Sequence, residues 1–161
     1  MKKIIVLLLA FSLYSCNDGD FDVPAFEFTD TINTCGEYTI YKSNSESTEV
    51  IVLTLSSSSL STTPGDKTLE ISTSNAVTYR IFSDGISSNY FCQDIPPSTP
   101  KVVKELIAES GTFNINTIED LTDGEVTGYT YTITISDLLL SNEDDKIIFD
   151  NFDFGEFTIN L

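Results

Sequence analysis

The densest group of side chains with chemistry to offer is Asn142-Glu143-Asp144-Asp145, followed by Asp150, Asn151 and Asp153. Carboxylate and amide oxygens are hard ligands, so these residues are candidate Ca²⁺ ligands held between two loops. The spacing does not reproduce an EF-hand loop, which needs a Gly at its turn position and a closing Glu at its twelfth. The plain alternative is a turn kept hydrated by its charge. Paired carboxylates also serve glycosidases as acid and base, at about 5–10 Å across a cleft. A domain with mostly short loops leaves little material for such a cleft, so the expectation is no enzyme, with a small carboxylate-based hydrolase the third reading.

What is missing narrows the chemistry further. The 161 residues contain no His, which removes Ser-His-Asp and Cys-His nucleophiles and His-bound zinc. Eight basic against 25 acidic side chains give a net charge of −17. Nucleic-acid binding needs a basic stripe to displace counterions from phosphates, so no nucleic-acid partner is expected. There is no dinucleotide glycine pattern, phosphate loop or internal repeat, and Asp153-Phe154-Gly155 lacks the partners of a kinase site.

The elements that must position these residues read as strands. Ser, Thr, Val, Ile, Tyr and Phe dominate, with one Met, and 40% hydrophobic residues suffice for a packed core. Period-two alternation between turn signals predicts strands over Ala25–Thr29, Glu37–Tyr41, Val50–Leu55, Lys67–Ser72 and Val77–Phe82. Further strands are predicted over Thr112–Asn116, Tyr129–Ile135, Lys146–Phe149 and Glu156–Asn160. Val50–Leu55 is apolar on nearly both faces, as a central strand is. Tyr129, Tyr131, Ile133 and Ile135 share a core face. Ser56–Asp66 is a Ser/Thr-rich loop expected to be exposed, and Ser110-Gly111, Asp123-Gly124 and Asn142–Asp145 are turns. Phe149, Phe152, Phe154 and Phe157 form an aromatic row for the core or a sugar platform, with a bulge at Gly155 to shift register before Phe157. Lys101–Glu109 fits a helix or a strand. The fold expected is all-β, a single antiparallel β-sandwich, Ig-like or meander-type, over residues 24–161.

The N-terminus reads as a processing signal. Lys2 and Lys3 precede an apolar run, Ile4–Leu13, of about ten residues, too short for a bilayer span of about 20. Residues 1–15 are therefore expected to be a signal peptide. Leu13-Tyr14-Ser15-Cys16 resembles the lipobox of bacterial lipoproteins, apart from the bulky Tyr14. The resemblance implies cleavage before Cys16 and acylation of its thiol and amino group. Two or three acyl chains hold a protein on a membrane where a single chain is reversible. Cleavage also removes Lys2 and Lys3, leaving six bases against 25 acids.

Residues 16–23 form an acidic linker, in which Asn17-Asp18-Gly19-Asp20-Phe21-Asp22 resembles the surface-export signal of Bacteroidetes lipoproteins. That implies a protein in the outer membrane facing the cell exterior. Asp30-Thr31-Ile32 resembles the short O-glycosylation acceptor of the same group. The run Phe91-Cys92-Gln93-Asp94-Ile95-Pro96-Pro97-Ser98-Thr99-Pro100, with Val103, Glu105, Ala108, Gly128-Tyr129 and Asp153-Phe154-Gly155, resembles uncharacterised lipoproteins of flavobacteria. This likeness favours a strand over Lys101–Glu109 and carries no activity with it.

With Cys16 assigned to lipid, Cys35 and Cys92 remain as a pair in an oxidising compartment, where a disulfide is expected. The expected function is a lipid-anchored surface domain that binds a protein or glycan partner or plays a structural accessory role. The alternative is a Ca²⁺-dependent or carbohydrate-binding adhesion module.

Overall fold

The computed structural model describes residues 26–161. The expected signal peptide, Cys16 and the acidic linker lie outside the described residues. Eight strands follow one another: β1 (Ile32–Cys35), β2 (Thr39–Ser43), β3 (Glu49–Thr54), β4 (Gly65–Glu70), β5 (Ala76–Phe82), β6 (Val102–Thr122), β7 (Glu125–Ser141) and β8 (Lys146–Asn160). All pair antiparallel in the order β1-β2-β3-β5-β6-β7-β8, with β4 joined to β6 off that path. The fold is all-β, as the composition predicts.

One flank of β6 serves two partners. Its first part pairs with β5 through Val102–Ile107, and its second part with β4 through Thr112–Thr117. The sheet bends between these stretches and curls into a half-barrel, sandwich-like around one core. Gly111 sits in the bend at φ 144°, and a Cβ there would lie 2.9 Å from Ile71 Cδ1 and 3.2 Å from Leu138 Cα. Only glycine fits so close an approach at a positive φ. Ser110-Gly111 is therefore a bend inside β6 and not the expected turn, because pairing with β7 resumes on both sides of it. Asp123 and Gly124, at φ 54° and 86°, do close the β6–β7 hairpin, with the left-handed backbone that a two-residue turn requires.

Irregularities at the bends reset which face is apolar. In β7 the buried positions run Tyr131, Ile133, Ile135 and then Leu138, Leu140, the phase changing at Asp137, whose φ is 52°. In β8, Ile133 pairs with Gly155 and Thr134 with Asp153, so Phe154 is the extra residue of a bulge. That bulge lets Phe152, Phe154 and Phe157 all turn inward. Lys146–Phe149 and Glu156–Asn160 are thus ends of one strand. Lys101–Glu109 forms the start of β6, not a helix.

Two other expectations change. Phe26–Thr29 is not a strand: only Thr29 reaches a neighbour, its amide donating to Ser43 O at 2.9 Å. Phe26 and Phe28 instead insert between Tyr79 and the Phe149/Phe152 pair, with ring centroids 4.7 and 4.9 Å from Phe26 to Tyr79 and Phe149. Their alternation serves as a plug rather than a ladder. The Ser56–Asp66 stretch is neither wholly loop nor wholly exposed, since Gly65 and Asp66 begin β4 and its own Ser59 and Leu60 are buried.

β3 is buried on both faces. Ile51 and Leu53 enter the main core, while Val50 and Val52 join Tyr41 and Phe82 in a second cluster on the outside of the sheet. The segment after β5 crosses this outer face and covers it with Ile86, Tyr90 and Phe91. Its short 3₁₀ turn, Tyr90–Cys92, ends in the Cys35–Cys92 disulfide, with Cα atoms 5.0 Å apart. The expected staple therefore ties this covering segment to the edge strand β1.

Candidate functional site

The acidic residues singled out above do not converge. Asn142–Asp145 form the β7–β8 turn, where Asn142 Oδ1 accepts from the amides of Asp144 (2.9 Å) and Asp145 (2.7 Å). Asp145 is paired with Lys104 at 2.8 Å, while Glu143 and Asp144 point to solvent. Asp150, Asn151 and Asp153 lie on β8 itself rather than in a loop. Five residues of extended strand place Asp150 about 15 Å from Asp145. Among the described residues no group of three or more His, Cys, Asp or Glu is positioned to hold a metal ion. The turn is ordered by its own hydrogen bonds and an ion pair. The Phe row offers no surface platform, because Phe152, Phe154 and Phe157 are buried.

The outer face of the β4-β6-β7-β8 layer is a polar grid. Asp66, Asn116, Thr132 and Glu156 lie in one cross-strand row; Thr68, Asn114, Thr134 and Asp153 lie in the next. An open groove of about 340 Å³ runs over it. These side chains satisfy one another: Asn116 donates to Asp66 at 2.7 Å and Asn114 to Ser136 at 2.9 Å. Such alternation is what an antiparallel sheet with one wet face requires.

A second cavity, of about 170 Å³, opens at one end of the half-barrel. The β1–β2 turn brings Glu37 and Tyr38 to it, β7 brings Tyr129 and Tyr131, and Leu60 and Ile159 supply apolar wall. The core-facing phase of β7 puts both of its tyrosines here; Tyr131 is stacked on Phe157, with centroids 5.4 Å apart at 26°. A hydrogen bond to Glu37, then loss of water and the carboxylate's charge, raise the Tyr38 phenol above its ordinary pKa of 10.0. Burial raises Tyr131, and Tyr129, Tyr38 and Glu37 add to it, so the four polar groups share one electrostatic environment. Among the described residues Glu37 supplies the one side-chain carboxylate that lines the mouth. β7 was legible as a core-facing strand, but the partnership of its tyrosines with Tyr38 was not, since Tyr129 lies 91 positions beyond Tyr38 in the chain.

Comparisons of the chain with protein-family models, with curated proteins and with solved structures found no match. The fold and its cavity define an all-β half-barrel with a tyrosine-lined mouth. Among the described residues no helix is long and apolar enough to cross a membrane.

Proposed function

We propose that this chain is a lipid-anchored cell-envelope lipoprotein, held on the outer membrane through acyl chains on Cys16 and facing the cell exterior, whose half-barrel acts as a binding or accessory domain. The observation that carries the reading is the assignment of the cysteines. Cys35 and Cys92 bond to each other within the domain, and the third, Cys16, directly follows Ser15 at the end of an apolar run. Bonded cysteines fit an oxidising compartment, which an exported protein reaches. Nine residues lie between Cys16 and Phe26, enough chain to hold the domain clear of a membrane surface.

Fractionation tests the anchor. The native chain is expected in the membrane fraction with acyl mass on its N-terminal Cys, and Cys16→Ala in the soluble fraction. Membrane retention of Cys16→Ala equal to that of the native chain overturns the proposal. The tyrosine-lined mouth favours a binding domain over a purely structural one, because barrel mouths are where such folds accommodate ligands.

A further inference from the structure

We propose that the mouth of the half-barrel binds a small organic ammonium ion, quaternary or protonated, between the rings of Tyr38, Tyr129 and Tyr131 and the carboxylate of Glu37. This deepens the binding-domain reading and rests on it, but not on the lipid anchor. Three of the seven tyrosines reach the cavity from two elements far apart in sequence, the Glu37 carboxylate stands beside them, and among the described residues no Lys or Arg lines it. Aromatic rings attract cations through the negative potential of their faces, most strongly where water is excluded. A carboxylate at the rim adds net charge of the right sign, and a chain of net charge −17 repels anions from the site and draws cations toward it.

The remaining wall selects among cations. Calcium takes six to eight oxygen ligands, and among the described side chains lining the mouth Glu37 supplies the one carboxylate. Methyl or methylene groups around a nitrogen need apolar contact instead, which Leu60 and Ile159 provide. The raised Tyr38 and Tyr131 phenols stay neutral at physiological pH, so the rings are present as neutral aromatic groups throughout that range. At about 170 Å³ the cavity admits a headgroup and not an extended chain.

Calorimetric titration of the full chain, purified from whichever cell fraction contains it, tests this with three probes. These are choline, its uncharged isostere with carbon replacing nitrogen, and glucose. Choline is expected to bind saturably and the isostere at least about tenfold more weakly. Glu37→Gln is expected to weaken choline about five- to tenfold, and Tyr38→Ala by a similar factor. Glu37 is exposed in the β1–β2 turn, so an unchanged melting temperature is expected for Glu37→Gln and separates lost binding from lost folding, whereas Tyr38 packs partly against the core and Tyr38→Ala is compared at a temperature where it remains folded. Equal affinity for choline and its isostere overturns the proposal. So does unchanged choline binding in a folded Glu37→Gln, or binding of glucose with none of choline. Since the chain is taken from either fraction, failure here is distinct from failure of the anchor.

Discussion

The two apolar clusters are built on opposite principles. The main core draws on β2, β3, β5, β6, β7 and β8, and every one of those strands is held by ladder hydrogen bonds to its neighbours. The outer cluster has a sheet face below and an irregular segment above. That cover is tied by a few backbone bonds, such as Ile86 N to Ser47 O at 2.9 Å, by the Tyr41 hydroxyl donating to Ser88 O at 2.6 Å, and by one disulfide. A segment without a ladder carries most of its ordering cost on a handful of contacts. The covalent bond supplies what the missing hydrogen bonds do not, so stability in the inner cluster is distributed and in the outer one concentrated.

Four measurements distinguish the distributed cluster from the concentrated one. The largest effect is expected from Phe154→Ala, which removes a ring with no solvent exposure from the inner core and is expected to cost about 3–5 kcal/mol in denaturant unfolding. A loss below about 1 kcal/mol would mean that the bulge can collapse around the gap. Next comes the double replacement Cys35→Ser, Cys92→Ser, expected to cost about 2–4 kcal/mol. Amide exchange should then accelerate from Ser83 to Cys92 well beyond the global change, while β7 follows the global change alone. Equal acceleration in both places would show that the two clusters unfold as one.

A smaller effect separates the clusters by pH. Burial and then the Glu49 carboxylate, to which its hydroxyl donates at 2.7 Å, hold the Tyr79 phenol far above 10.0; burial alone raises Tyr41. In each case the folded pKa exceeds the unfolded one, so stability is intact below pH 10 and declines as the pH rises above it, where only unfolded phenols ionise. At one pH unit above that point Tyr79→Phe is expected to recover about 1 kcal/mol of the alkaline loss. A fall equally steep in the variant would place the alkaline sensitivity elsewhere. The least effect is expected from Lys104→Ala, which removes a partly exposed ion pair with Asp145 on the outside of the sheet and should change stability by less than about 0.5 kcal/mol.

Local pattern was legible wherever one period held. Val50–Leu55 read as a strand apolar on both faces because its residues are, and Tyr129–Ile135 as a core-facing row because its alternation is unbroken. Asp123-Gly124 announced its hairpin, and Gly155 its bulge. Reading failed where the phase changes. Across Gly111, and between Phe149 and Phe152, a strand that bends looks like two strands and a turn. Ile32–Cys35 escaped notice as a strand because four residues with mixed exposure carry no alternation. The covering segment announced itself only through Cys92, and the mouth not at all, since a cavity made from residues far apart in the chain leaves no periodicity.

The bridge between β1 and the covering segment also governs how the domain bears load. A pull on the N-terminal end first draws out the Phe26/Phe28 plug and then reaches β1, a four-residue edge strand. Peeling proceeds only as far as Cys35, where tension divides and passes through sulfur to Cys92. The 57-residue separation between them is thereby withheld from extension, about 200 Å of contour length. An oxidised domain under load is thus a short, stiff link, and a reduced one a long, compliant one.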